Sequence, residues 1–219
     1  MVAIHSYIQN EVPPLTPMSL IYEAKKGFAN LTHTHIPVEE NGLLIGNMSE
    51  DDVQGFDDDK KVEDYRYLFA VFFVRNDTNW LDVLEAFAKN NANVMPVLDQ
   101  NNAYLGYYEL IDIITLFKET PFLYEPGGIL IVEKGNKDYS FSEISQIVEA
   151  NKGKLLGAFI SGNRDSIVQL TLKIGNIGLN DVIQSFRRYN YTIISGNEDD
   201  MYVEDLKQRS DYLKRFLDI

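Results

Sequence analysis

Residues 16–53 and 77–113 carry one pattern twice. Phe28 corresponds to Phe87, Ala29 to Ala88 and Pro37-Val38 to Pro96-Val97, all 59 positions apart. Gly46 corresponds to Gly106 and Asp52 to Asp112, 60 positions apart, so the second copy has one extra residue in its turn. Each copy reads as helix, short strand, hairpin turn, short strand, helix. Ala24, Phe28 and Leu31 form an i, i+4, i+7 stripe, which Leu81, Leu84 and Phe87-Ala88 repeat. Asn41-Gly42 is a strong hairpin signal, and 99–102 is the matching turn. A unit this small is expected to lack a core of its own, so the two should pack together about a pseudo-twofold axis.

The copies end in Gly46-x-x-Ser49-x-x-Asp52 and Gly106-x-x-Glu109-x-x-Asp112, each behind a Pro-Val strand. This resembles the cystathionine-β-synthase-type (CBS) domain, which occurs as tandem pairs. The resemblance covers about residues 8–118, with repeats at 8–58 and 67–118 inside a domain at 1–120. It implies clefts that bind adenosine-containing ligands: AMP, ADP, ATP or S-adenosylmethionine. The motif Asp would take the ribose hydroxyls, and the Ser or Thr hydroxyl would help hold ribose or phosphate. The residues implicated are Thr16, Ile36, Pro37, Gly46, Ser49 and Asp52 in the first copy, with Arg75, Thr78, Gly106 and Asp112 in the second. Glu109 departs from the pattern, because a carboxylate there repels a phosphate.

The chemistry suits Asp52. An ionised carboxylate only accepts hydrogen bonds, and a cis-diol offers two donors. A helix starting near Ser49 would point free N–H groups at an anion. The simpler alternative is that Ser49 caps that helix with an acidic residue at N3.

Charge narrows the partners. The chain carries 20 Lys+Arg against 33 Asp+Glu, a net of −13, which argues against nucleic-acid binding. Residues 1–120 hold 8 of the basic and 19 of the acidic residues, which favours a ligand of low negative charge. The longest strongly apolar run, 67–74, is too short to span a bilayer, and the start lacks a signal-peptide layout, so a cytoplasmic protein is expected. There is no cysteine, which removes disulfides and thiol chemistry. His33 and His35 alternate and are expected to be exposed on a strand, without a third metal ligand. The acidic run 50–61 reads as a solvated linker.

Breakers at 121–128 mark a boundary. Beyond it, strands at 128–133, 154–161, 166–174 and 191–195 alternate with helices at 141–151 and 179–189; Gly162-Asn163 is the expected hairpin turn. The order βαββαβ resembles the ferredoxin-like ACT-type regulatory domain, over 128–196. Tyr139 stands near the position where that family places a glycine at its effector turn. Residues 197–219 have Val203, Leu206, Leu213, Phe216 and Leu217 at helical spacing, an amphipathic helix for core or dimer packing.

The expected fold is therefore α+β: a CBS pair of two βαββα units, a ferredoxin-like ACT-type domain and a C-terminal helix. Together these resemble the acetoin-utilisation regulatory proteins. No nucleophile–base pair, P-loop, metal cluster or dinucleotide fingerprint is present. The expected function is a non-catalytic, homodimeric ligand sensor that needs no cofactor and signals to an unidentified protein partner. The alternative is a structural dimerisation module with empty clefts.

Overall fold

In the computed structural model, which describes residues 4–175 and 178–195, the repeat becomes two sets of elements. The first set is α1 (Ile21–Asn30), β1 (His35–Glu40), β2 (Leu43–Ser49) and the single turn α2 (Glu50–Val53). The second is β3 (Val74–Arg75), α3 (Trp80–Asn90), β4 (Val94–Leu98), β5 (Tyr104–Glu109) and α4 (Leu110–Lys118). The chain divides into two compact units between Phe117 and Lys118.

Within the first unit the strands pair in matching ways. β1 runs antiparallel to β2, and β4 to β5. Each hairpin slips its register at the same place, after Val38 and after Val97. Leu15 bridges Val38 in parallel, as Val74 pairs with Val97. Asn41 and Gly42 both take positive φ, 55° and 83°, the backbone of a type I′ hairpin. Asp99 closes the longer second turn by accepting from the N–H groups of Asn101 and Ala103, each at 2.8 Å.

Each repeat has its own buried cluster, contrary to the expectation of one shared core. Ala24, Phe28, Ile36, Val38, Met48 and Val53 fill the first. Val83, Phe87, Met95, Val97, Tyr108 and Ile113 fill the second, position for position. Phe28/Phe87 and Val38/Val97 are identical pairs, whereas Met48 corresponds to the larger ring of Tyr108, which supplies volume in the second repeat. The run 50–61 is also more than a solvated linker. The carbonyls of Lys60 and Asp58 accept from Ile21 and Tyr22 N–H, capping α1, and Lys25 ion-pairs with Asp58 at 2.7 Å.

The segments leading into each repeat cross to the other. Gln9 exchanges two backbone hydrogen bonds with Tyr107 on β5, at 2.8 and 3.0 Å; Ala70 does the same with Asn47 on β2. The buried Asn47 side chain holds the second crossing further, donating to the carbonyls of Ala70 and Phe72. These crossings explain the repeated glycines. A Cβ on Gly46 would lie 2.6 Å from Phe69 Cβ, and one on Gly106 would lie 2.3 Å from the Gln9 carbonyl oxygen. Both glycines also sit at positive φ, 152° and 137°.

The second unit contains α5 (Pro121–Tyr124), β6 (Gly127–Gly135), α6 (Phe141–Ala150), β7 (Lys154–Arg164), β8 (Ile167–Gly175), α7 (Asn180–Arg188) and β9 (Thr192–Ser195). The sheet order is β7-β8-β6-β9, all neighbours antiparallel. Ile144, Ile147 and Val148 of α6 and Val182, Ile183 and Phe186 of α7 pack with the alternating inner residues of β6 and β8. The β7–β8 turn falls at Asp165-Ser166 rather than at Gly162-Asn163. Asp165 and Ser166 both take positive φ, while Gly162 lies within β7 beside a register irregularity. Tyr139, in the turn before α6, packs against this core. The C-terminal helix expected at 197–219 lies outside the described residues.

Candidate functional site

The contact between the repeats is built by residues 59 positions apart that bond to each other. Thr34 N–H donates to Asn93 Oδ1 at 2.8 Å, and Asn93 N–H donates to Thr34 Oγ1 at 3.0 Å. Glu50 N–H donates to the Thr34 carbonyl and Leu110 N–H to the Asn93 carbonyl, so the first residues of α2 and α4 are tied to the same pair. Such reciprocity is what a local twofold requires.

Two clefts flank this pair. One, of about 240 Å³, is lined by His35, Ser49, Glu50 and Asp51 from the first repeat and by Asn90 and Asn91 from the end of α3. The other, of about 250 Å³, is lined by His33, Glu109, Leu110, Ile111 and Ile114. Ser49 and Glu109 occupy corresponding places, as do Glu50 and Leu110, and Asp51 and Ile111. The fold thus makes two clefts of similar volume and lines them differently.

In the Ser49 cleft, Ser49 is the N-cap of α2, and its Oγ accepts from Asp52 N–H at 3.1 Å. Asp52 is exposed and its carboxylate has no hydrogen-bond or ion-pair partner among the described residues. Burial holds the His35 imidazole below its ordinary pKa, partly opposed by the Asp52 and Asp51 carboxylates. The His35 ring lies edge-on to Phe72 at 5.1 Å, and its Nδ1 is 3.0 Å from Thr34 Oγ1.

In the Glu109 cleft, His33 Nε2 lies 3.0 Å from Glu109 Oε1. His33 is 6% exposed and lies edge-on to Tyr107, so it is a buried partner of Glu109 rather than an exposed strand residue. Asp112 differs from Asp52 as well: its carboxylate accepts from Gln9 Nε2 at 2.7 Å. In the first repeat the counterpart of Gln9 is Ala70, which pairs with Asn47 as Gln9 pairs with Tyr107 and has no side-chain donor.

The other implicated residues are placed as follows. Ile36 and Pro37 are buried on β1, with Ile36 in the first core. The Thr16 hydroxyl is 3.2 Å from Ser19 Oγ in the loop before α1. Thr78 Oγ1 accepts from Arg75 N–H at 3.0 Å. The Arg75 guanidinium donates to the Asp99 carbonyl and to Asn102 Oδ1, and stacks near Phe73, which ties it to the β4–β5 turn. Among these residues only Ser49 lines either cleft. Sequence reasoning missed Thr34, Asn93, Asn90 and Gln9; the 59-residue spacing that maps Thr34 onto Asn93 was the available signal. Among the described residues no group of three His, Asp or Glu side chains could hold a metal ion.

Residues 68–119 match the family description of the CBS domain. An uncharacterized protein of Methanocaldococcus jannaschii, MJ0188, is 29% identical over 123 residues, 55% of this chain and 46% of its own length. The chain therefore spans less than half of that curated relative. Among solved structures, a CBS domain pair/ACT domain protein of Thermotoga maritima is 18% identical, with a TM-score of 0.49 over 54% of this chain and 98% of its own. CBSX2 in complex with AMP is 17% identical, with a TM-score of 0.44 over 53% of this chain and 96% of its own. The CBS match falls on the second repeat, the one whose clefted end carries Glu109 and the Gln9-bound Asp112. No helix among the described residues is long and apolar enough to cross a membrane.

Proposed function

We propose that residues 1–120 form a CBS pair that binds an adenosine-containing ligand at the Ser49–Asp52 end of the first repeat and signals by a change of conformation. The observation that carries this reading is the exposed, unpartnered Asp52 carboxylate, three residues after a hydroxyl cap. A cis-diol supplies the two donors that this acceptor lacks. The AMP complex of CBSX2 is consistent with the ligand class. Glu50 and Asp51 beside Ser49 disfavour a highly charged phosphate chain, so AMP or S-adenosylmethionine fits this cleft better than ADP or ATP.

The second unit, proposed as an ACT-type domain over 128–196, completes the layout of the acetoin-utilisation regulators. In this reading the chain is a non-catalytic homodimer in the cytoplasm with an unidentified protein partner. Thermal melting of the full chain with AMP, ADP, ATP and S-adenosylmethionine tests it. A ligand at 100 times its Kd stabilises one site by about 2.7 kcal/mol. No shift with any of the four would favour a structural module with empty clefts.

A further inference from the structure

The Glu109 cleft has lost the chemistry of its twin. Where the Ser49 cleft presents Glu50 and Asp51, this one presents Leu110 and Ile111, with Ile114 one turn further along α4. Ile111 and Ile114 are 60% and 45% exposed, and α4 has a single fully buried side chain, Ile113. A helix this apolar normally covers its surface, so the exposed isoleucines form an apolar wall that no described residue of the first unit covers.

The polar end of the cleft is selective. Among the described residues no lysine or arginine lines it. Asn93 Oδ1 accepts from Thr34 N–H and from the Thr34 hydroxyl, and Asn93 Nδ2 donates to the Thr32 carbonyl at 2.6 Å. His33 Nε2 is committed to Glu109 Oε1. The second carboxylate oxygen of Glu109 has no partner among the described residues, and the Glu109 side chain is 30% exposed. The cleft therefore offers a charged acceptor beside an apolar wall, and a ligand must bring the donor.

We propose that this cleft binds a small amphipathic amine, with its ammonium on Glu109 and its apolar body against Leu110, Ile111 and Ile114. The volume of about 250 Å³ suits a fragment-sized molecule. The net charge of −13 draws cations towards it and repels carboxylates and phosphates. This inference does not rest on the adenosine reading, which concerns the other cleft.

Phenethylamine is the probe, with 2-phenylethanol and phenylacetate as neutral and anionic controls of the same shape. Amide NMR spectra of the full chain are recorded with each compound at millimolar concentration. The expected result is saturable shifts at Leu110, Ile111 and Ile114 with the amine, and binding at least about tenfold weaker for both controls. Glu109→Gln keeps an oxygen for the His33 bond and should abolish the preference for the amine, with its melting temperature checked against the parent chain. Ile114→Ser should weaken the amine and the alcohol alike. Equal binding of all three compounds, no saturable shift with the amine, or an unchanged preference in Glu109→Gln each overturns the proposal. Adding AMP to the same sample reports separately on Ser49 and Glu50, so failure at one cleft is distinguishable from failure at the other.

Discussion

The two repeats of the first unit agree in shape and disagree in chemistry. Val38 and Val97 sit beside the same register slip, Phe28 and Phe87 fill the same core position, and Gly46 and Gly106 yield to the same kind of crossing segment. These positions are fixed by backbone geometry and packing. Yet Ser49 faces Glu109, Asp51 faces Ile111, His35 faces Val94 and Ala70 faces Gln9 in the correspondence. Side chains at the cleft ends are not needed to close either core, so they are free to diverge. A duplicated fold thus keeps two clefts while lining them with different chemistry.

The deepest shared feature is the core, and breaking it should cost most. Phe28 and Phe87 are 2% and 1% exposed at equivalent positions. Phe28→Ala and Phe87→Ala should each destabilise the first unit by about 3–5 kcal/mol in urea unfolding. A large difference between them would mean that the two cores are not equivalent in energy.

The glycines come next, and here the repeats should separate. An alanine at 106 meets a backbone carbonyl together with Asn10 and Ile8, whereas the three nearest atoms to one at 46 all belong to the Phe69 side chain. Gly106→Ala should cost about 2–4 kcal/mol, the larger of the two losses. Hydrogen exchange should quicken at Gln9 and Tyr107 in that variant, and at Asn47 and Ala70 in Gly46→Ala. Unchanged exchange at the crossings would break the explanation of the repeated glycine.

The carboxylates sharpen the comparison on the side of function. Asp52→Ala should weaken adenosine-ligand binding at least about tenfold, equivalent to about 1.4 kcal/mol, in calorimetry. Asp112→Ala should do much less, because Gln9 already occupies that carboxylate at 2.7 Å. The double variant Gln9→Ala with Glu109→Thr should create a second adenosine site by freeing Asp112 and restoring a hydroxyl. Loss of binding in Asp112→Ala with retention in Asp52→Ala would place the primary site in the wrong repeat.

Much of the architecture could be read from the chain because it rests on local signals. Asn41-Gly42 writes its own turn, and a spacing of 59 shows the duplication without knowledge of any contact. Features that depend on distant partners were not legible. His33 reads as an exposed strand residue until Glu109, 76 positions on, is brought beside it. The crossings of Gln9 and Ala70 are single-residue pairings and leave no periodicity. The same limit applies to the β7–β8 turn: Gly162-Asn163 has the better composition, yet pairing of β7 with β8 through Arg164 and Ile167 pushes the turn to Asp165-Ser166. At the candidate site, Ser49 could be found from its motif. Asn90 and Asn91 could not, since they reach that cleft from the other repeat.

The smallest expected difference between the repeats is a response to acid. His35 is half-buried beside Thr34, and Val94 takes its place in the second repeat. Burial lowers the His35 pKa below its ordinary 6.5, and the nearby Asp52 and Asp51 only partly restore it. The unfolded chain therefore binds a proton at this residue more readily than the folded chain. Stability from the neutral, buried imidazole is fully present above pH 6.5 and is lost as the pH falls through 6.5 towards the lower folded value. His35→Val, which copies the second repeat into the first, should remove this contribution. Urea unfolding of both proteins from pH 8 down to 5.5 checks it, and the parent chain should lose more stability over that interval than the variant. An adenosine ligand that places a phosphate near His35 should reverse the trend by favouring the imidazolium. Parallel curves for the two proteins would show that His35 does not distinguish the repeats in this way.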